Sequence, residues 1–134
     1  MSITAMKSES ASDTGEGQAP GLDPQALARL HELDPDGRHG VVPRVLAAFE
    51  TSLQRMLAQL SAAPDAVPAS VVASVAHTLK SSSASVGAAA LAQSCAEVEA
   101  RLRTGDGSTL RVDTARLVGE AEAALRAVRA ILGK

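Results

Sequence analysis

The sequence predicts an all-α protein, an antiparallel up-and-down four-helix bundle preceded by a short N-terminal helix. Apolar residues recur at intervals of three and four along four long segments, and no segment alternates with a period of two over a useful length. The loops between these segments are short, which makes consecutive helices antiparallel neighbours. Phe49 is the only aromatic residue, so the core consists of Leu, Val and Ala, which suits close helix packing better than a sheet.

Composition and charge limit the functions of this 134-residue chain, which is long enough for one domain with a single core. The formal net charge of −2 gives no basic surface for nucleic acid, and no apolar run is long enough to span a bilayer. A single Cys cannot form an internal disulfide, which fits a reducing compartment. Because residues 1–20 also lack the apolar core of a signal peptide, we expect a cytoplasmic monomer that binds neither nucleic acid nor membrane.

The chain is expected to divide into a disordered tail at residues 1–21 and a helical domain at residues 22–134. The tail is rich in Ser, Gly, Thr and acidic residues without an apolar period, and it is either a leader or the remnant of a linker. The first helix begins at Asp23-Pro24, an N-cap followed by proline at the first helical position, where its missing N–H costs nothing. Turn residues at 34–40 end this helix, and its short apolar edge consists of Leu27, Leu30 and Leu33.

The second helix is predicted from about Val42 to Leu60, with Pro43 near its first turn. Its apolar stripe consists of Val42, Val45, Leu46, Phe49, Leu53, Met56, Leu57 and Leu60. A loop at 61–65 follows, and Asp65 or the residue before Pro68 is expected to cap the third helix. The third helix covers 71–87 and ends at Gly87, as is typical of a C-terminal glycine in the left-handed conformation.

The fourth helix is predicted from about Ala88 to Arg103, with Leu91, Cys95, Val98 and Leu102 on one face. Because Cys95 belongs to this apolar stripe, we expect a buried and unreactive thiol. A turn at 104–108 leads into the fifth helix, which runs from Ser108 or Thr109 to Leu132. Its stripe consists of Leu110, Leu117, Ala121, Leu125, Val128 and Leu132.

The third helix has two unlike faces. Successive residues of an α-helix are rotated by about 100° around its axis. This rotation places one mainly apolar set on a single face, and His77 lies about 140° around the helix from that face. The set is Val72, Val75, Ala76, Leu79, Ser83 and Val86. An exposed helix face normally carries long charged residues, but apart from Lys80 the neighbours of His77 are small. Small neighbours let another protein approach the ring closely, although a solvent-facing His in an Ala/Ser-rich helix accounts equally well for the helical wheel alone.

His77 has the chemistry of a covalent phosphoryl carrier. No P-loop, dinucleotide or serine-nucleophile motif is present, so we expect neither an enzyme nor a cofactor. A neutral imidazole is plentiful near pH 7 and is a competent nucleophile toward phosphorus. Lys80 lies one turn along and roughly 60° round the helix, close enough for its ammonium to meet phosphoryl oxygens. His31 and His39 have no Cys, Asp or Glu group at ligand spacing, so no metal site is expected.

One signature runs through the third and fourth helices. It consists of Ala76-His77-Thr78-Leu79-Lys80, the segment 82–88, and then Leu91, Cys95 and Glu99. This signature closely resembles the histidine-containing phosphotransfer (HPt) domain of bacterial multistep phosphorelays, and the likeness in helix order and length extends from Leu22 to about Arg103. The resemblance implies a helical bundle that accepts a phosphoryl group from a receiver-domain aspartate and passes it to another. It makes His77 the phospho-acceptor and Lys80 the charge that steadies the phosphoryl group.

The resemblance also implies partners, namely the receiver domain of a response regulator and a hybrid sensor histidine kinase, with Mg²⁺ on the receiver domain rather than on this chain. The face expected to dock the receiver consists of Ala73, Ser74, Ser81 and Ala84. Ser81 departs from the family pattern, which usually has Gly there. Gly inside a helix costs about 1 kcal/mol relative to Ala, so the family's Gly indicates a need for space beside the ring. We expect Ser81 to affect the rate of transfer.

A second hypothesis is an interaction module that docks on a receiver domain or a histidine kinase through the same face and transfers nothing. That hypothesis predicts binding without any label on His77. A membrane-lying amphipathic bundle is disfavoured, because no helix has the Lys/Arg-rich polar face and aromatic anchors that it needs.

Overall fold

Five α-helices make up the regular structure of residues 21–61 and 67–134, the part of the chain that the computed structural model describes. They are α1 (Pro24–Glu32), α2 (Val41–Ser61), α3 (Ala69–Ser85), α4 (Ala89–Arg103) and α5 (Leu110–Leu132). The predicted all-α class and helix order are confirmed, and each helix end lies within two residues of its predicted place. Residues 1–20 of the predicted tail lie outside the described residues.

The four long helices form the bundle, and α1 lies against α2. In the bundle, α3 packs most extensively against α4, α4 against α5, α5 against α2, and α2 more sparsely against α3. This order places α3 and α5 on opposite corners. The face of α3 that is turned away from the core is therefore largely exposed, and this is the face that carries His77.

The predicted apolar stripes form the core. On α3, every residue of the predicted apolar set is buried, from Val72 at 0% exposure to Val75 at 6%. The stripes of α2, α4 and α5 are buried or packed against the core along their whole length. The prediction for α1 is wrong at Leu33, which is 70% exposed, because the helix ends at Glu32 and the chain turns away there; Ala26 takes the buried place instead.

Two carboxylates cap the first two helices. Asp23 caps α1 as predicted, accepting the backbone N–H of Gln25 at 2.9 Å. Asp34 is buried in the following turn and accepts the backbone N–H groups of His39 and Val41, so it caps α2 from seven residues away. Burial is the largest single influence on the pKa of Asp34 and would raise it, but the hydrogen bonds from backbone N–H groups together hold this pKa below its usual range.

The start of α3 differs from its prediction. Pro68 occupies the N-cap position without a side-chain hydrogen bond, and the residue before it, Val67, is a buried apolar residue rather than a cap. The other predicted cap, Asp65, lies outside the described residues. The proline restricts the residue before it to extended backbone, which excludes that residue from the helix without any capping group.

Gly87 joins α1 to the turn between α3 and α4. Its φ is +84°, the left-handed conformation predicted for a helix-ending glycine. Its carbonyl accepts the backbone N–H of Asp23 at 2.8 Å. A Cβ at this position would lie 2.6 Å from that backbone nitrogen and 2.9 Å from the Cβ of Ala26. A side chain therefore cannot be accommodated unless α1 moves.

Replacing Gly87 with Ala is expected to lower the free energy of unfolding by about 2–4 kcal/mol. Two costs add: the strain of a left-handed backbone at a residue with a Cβ, and the clash of that Cβ with the backbone of Asp23. The matched control is Gly119→Ala in α5, where an added Cβ meets nothing within 4 Å. That substitution is expected to stabilise the protein by roughly 1 kcal/mol. Urea unfolding followed by circular dichroism measures both. Equal effects of the two substitutions would contradict the proposed contact with α1.

Candidate functional site

His77 lies in the middle of α3 with 72% of its side chain exposed. Ser74, Ser81 and Ala84 are exposed beside it and Ala73 is half-buried, so the predicted face of small residues exists as a surface. The fold explains this arrangement, because the opposite side of α3 is wholly occupied by the core. The imidazole thus stands above a floor that an approaching protein could contact closely.

Glu99 of α4 connects His77 to Lys80. The Nδ1 of His77 lies 2.5 Å from Oε2 of Glu99, and the Nζ of Lys80 donates to Oε1 at 2.6 Å. One carboxylate therefore binds both side chains, each through a different oxygen. We call these three residues the His77–Glu99–Lys80 cluster. It joins α3 to α4, and Glu99 is its least exposed member, with 15% of its side chain accessible.

The charge of Glu99 determines which ring nitrogen of His77 carries the proton. The hydrogen bond from Lys80, and then the one from His77, hold the pKa of Glu99 below its usual range, so its carboxylate is ionised at neutral pH. An ionised carboxylate only accepts hydrogen bonds, so Nδ1 of His77 must carry the hydrogen in their contact. In the neutral ring this leaves the lone pair on Nε2. Nε2 has no partner among residues 21–61 and 67–134.

Lys80 has a partner in the structure that its spacing from His77 does not reveal. The sequence predicts that its ammonium lies one turn from the ring, where phosphoryl oxygens would be bound. In the structure the ammonium lies near the ring but is engaged by Glu99. The flexible stem of Lys80 and the 40% exposure of its side chain allow the ammonium to exchange Glu99 for another anion.

Glu99 is the functional residue that the sequence alone left without a role. It is 22 positions from His77 and on another helix, so no local spacing links the two. Its position four residues after the buried Cys95 is a usable signal, because i and i+4 share a helix face and that face of α4 packs on α3. A carboxylate at the edge of a buried stripe needs a partner, and α3 supplies two.

The remaining predicted side chains are not brought into this cluster. Cys95 is fully buried, as predicted, and burial, followed by the negative charges of Glu120 and Glu99, raises its pKa to about 11. A thiol with this pKa is not a nucleophile at neutral pH. His31 and His39 are exposed on α1 and in the turn after it. In the described ranges, no three His, Cys, Asp or Glu side chains are grouped so that they could hold a metal ion.

No helix within residues 21–61 and 67–134 is both long enough and apolar enough to cross a membrane.

A helical bundle that presents an exposed histidine on a face of small residues has the architecture expected of a histidine phosphotransfer protein. The family model described as "Hpt domain" matches residues 44–131, and the chain belongs to that family. Its members are phosphoryl carriers rather than enzymes, so this chain has a phosphotransfer role in two-component signalling, with receiver domains and kinases of phosphorelays as its partners.

Among solved structures, the chain is similar to histidine-containing phosphotransfer protein B (HptB) from Pseudomonas aeruginosa PAO1. The two are 30% identical in sequence, with a TM-score of 0.66, and the match covers 86% of this chain and 93% of that one. A search of curated protein sequences found no match.

Proposed function

We propose that His77 accepts a phosphoryl group from a receiver-domain aspartate and passes it to a response regulator. The observation that carries this proposal is the hydrogen bond between Nδ1 of His77 and the ionised Glu99, which leaves Nε2 as the nucleophile on an exposed face. Glu97, also on α4, instead binds Gln93 and Arg116, so the contact with His77 is particular to Glu99.

The transfer step follows from this geometry. The lone pair of Nε2 attacks the phosphorus of the aspartyl phosphate, the N–P bond forms, and the bond between phosphorus and the aspartate oxygen breaks, so that the receiver's carboxylate leaves. The ring becomes a cation that keeps its Nδ1 hydrogen, and the adjacent Glu99 carboxylate stabilises that positive charge. The reverse reaction delivers the phosphoryl group to an aspartate of the next receiver domain.

Lys80 is proposed to steady the phosphoryl group on His77. The transferred group brings negative oxygens into reach of the ammonium, which then divides its hydrogen bonds between them and Glu99. In this scheme the chain needs no cofactor, and the Mg²⁺ belongs to the receiver domain. The small residues Ala73, Ser74, Ser81 and Ala84 form the docking surface for the receiver. We further propose that the protein acts as a monomer in the cytoplasm, where it also meets a hybrid sensor histidine kinase.

The test is phosphoryl transfer from a panel of purified receiver domains that carry ³²P on their aspartate. We expect acid-labile, alkali-stable label on this protein, located at His77 by peptide mapping. Binding of a receiver without label under any donor would instead support the interaction module that transfers nothing. Label on another residue would contradict the assignment of His77.

Ser81 gives a separate test of crowding on this face. Its side chain is exposed, and its hydroxyl has no hydrogen-bond partner within the described part of the chain. We therefore expect Ser81→Gly to speed phosphoryl exchange while lowering the free energy of unfolding by up to about 1 kcal/mol. Ala58→Gly, on the exposed side of α2, is the control, with a similar loss of stability and an unchanged rate. Slower exchange in Ser81→Gly would show that the hydroxyl takes part in transfer.

A further inference from the structure

A groove of about 400 Å³ lies between the first turn of α4 and the middle of α5. Leu91 and Ala124 are buried members of the core and form its floor. Its walls are the exposed Ala89 and Ala90 of α4 and the half-buried Ala123 of α5. Because these side chains are apolar and the walls are short, the groove can accept a narrow apolar segment of polypeptide.

Glu120 supplies the only charged side chain that lines the groove among residues 21–61 and 67–134. Its Oε1 is buried and receives no hydrogen bond within these ranges, and α4 begins here without a side-chain cap. The carboxylate lies close to the core, since the pKa of Cys95 is raised first by burial and next by the charge of Glu120. A buried carboxylate oxygen without a donor is costly, so the groove favours an occupant that brings a cation.

The chain itself enters the described structure at this groove. Gly21, the first described residue, is exposed and lines it. The hydrogen bond from the backbone N–H of Asp23 to the carbonyl of Gly87 holds this part of the chain beside the start of α4. Residues 1–20 are therefore attached at the edge of the groove. The chain between Lys7 and Gly21 can span up to about 45–50 Å, so Lys7 has ample reach to Glu120.

Residues 1–20 divide into two parts by composition. Residues 1–7 contain the Met and Ile side chains of this stretch and its only cation, Lys7. Residues 8–20 are mainly Ser, Gly, Ala and acidic residues. Within this stretch, only residues 1–7 combine apolar side chains that match the alanine walls with a positive charge that matches Glu120.

We propose that residues 1–7 of this chain dock in the groove between α4 and α5, with the ammonium of Lys7 against the carboxylate of Glu120. The pair forms a charge-assisted hydrogen bond and gives the buried oxygen its donor. Because the segment belongs to the same chain, docking is intramolecular and needs only a modest contact energy. The inference goes beyond the proposed function and does not depend on it, since His77 and Glu99 meet on the α3 side of α4.

The experiment uses the full-length chain with a nitroxide spin label attached through Ser8→Cys, just outside the docking segment. The native Cys95 is fully buried and has a pKa of about 11, so the reagent reacts at position 8. Paramagnetic loss of backbone amide signals is measured in ¹H–¹⁵N spectra of dilute protein, with the reduced label as the diamagnetic reference. Circular dichroism checks that each variant folds.

We expect selective loss of the amide signals of Ala89, Ala90 and Ala123, which line the groove. The amide of Ala58 is expected to keep its intensity, because α2 lies diagonally across the bundle from α4.

Glu120→Lys is expected to abolish this selective loss, because two cations would then meet in the groove. The matched control is Glu122→Lys, since Glu122 is exposed on α5 and does not line the groove. That variant is expected to behave as the wild type. Adding Lys7→Glu to Glu120→Lys is expected to restore the loss, because the pair forms again with its charges exchanged.

Wild-type spectra without selective loss at the groove would overturn the proposal, as would equal losses in folded Glu120→Lys and Glu122→Lys. A mixture of spin-labelled chains without ¹⁵N and unlabelled ¹⁵N chains tests the remaining occupant. Loss of the same signals in this mixture would assign the groove to a second copy of the chain and also overturn the proposal. Phosphorylation of His77 is measured separately, so a failure here is distinguishable from a failure of the proposed function.

Discussion

Replacement of His77 with Gln is expected to abolish acid-labile phosphorylation of the protein. Glutamine keeps a polar side chain of similar reach on this exposed face, but its amide has no basic nitrogen that can attack phosphorus. The hydroxyl side chains on this face, Ser74 and Ser81, have no hydrogen-bonded base within the described part of the chain, and the Glu99 carboxylate is engaged by Lys80, so we expect no other residue to replace the imidazole. Transfer from a ³²P-labelled receiver domain, measured over a time course that saturates the wild-type protein, is expected to fall to background.

The controls for this substitution are His31→Gln and His39→Gln. Both histidines are exposed, but they lie on α1 and in the turn after it rather than on the face of α3. Each variant is expected to be labelled at the wild-type rate. Residual acid-labile label in His77→Gln, or loss of label in either control, would remove His77 from its role.

The fold could be predicted from the sequence because its core is made of simple helical stripes. The buried residues of α2 and α3 are mainly the apolar residues that recur at intervals of three and four along the sequence. Turns rich in Gly, Pro and Asp separate the helices. Periodicity fails where a helix ends. Leu33 continues the spacing of Leu27 and Leu30, but α1 ends one residue before it and leaves it exposed.

The candidate site could be predicted only as far as it lies on one helix. The spacing of His77 and Lys80 along α3 places them together without knowledge of any other element. Glu99 reaches them from α4. Its hydrogen bonds to His77 and Lys80 depend on the rotation of α4 about its axis relative to α3. That rotation is set by the packing of the two helices and cannot be read from the spacing of residues along either one.

Glu99 is also the residue whose removal tests how the imidazole is prepared. Glu99→Gln keeps the size of the side chain but replaces a charged group having two acceptor oxygens with a neutral one having a single acceptor. The amide of this variant could not accept from both His77 and Lys80, and it could not stabilise the cationic ring that forms during transfer. We expect the rate of phosphoryl transfer to fall by about tenfold or more, as it does when an orienting carboxylate is removed from a functional histidine.

Two further measurements distinguish a role of Glu99 in preparing the imidazole from a merely structural role. Glu97→Gln on the same helix removes an ion pair with Arg116 and is expected to leave transfer unchanged. In ¹⁵N spectra of the imidazole, the wild-type protein should show the tautomer with hydrogen on Nδ1, and Glu99→Gln a mixture of both tautomers. Because the hydrogen bonds from Lys80 and His77 lower the pKa of Glu99 in the folded protein, its carboxylate is ionised at neutral pH, and the wild-type tautomer should prevail there. Equal rates and equal tautomer populations in Glu99→Gln and wild type would show that the carboxylate holds α3 to α4 without preparing the nucleophile.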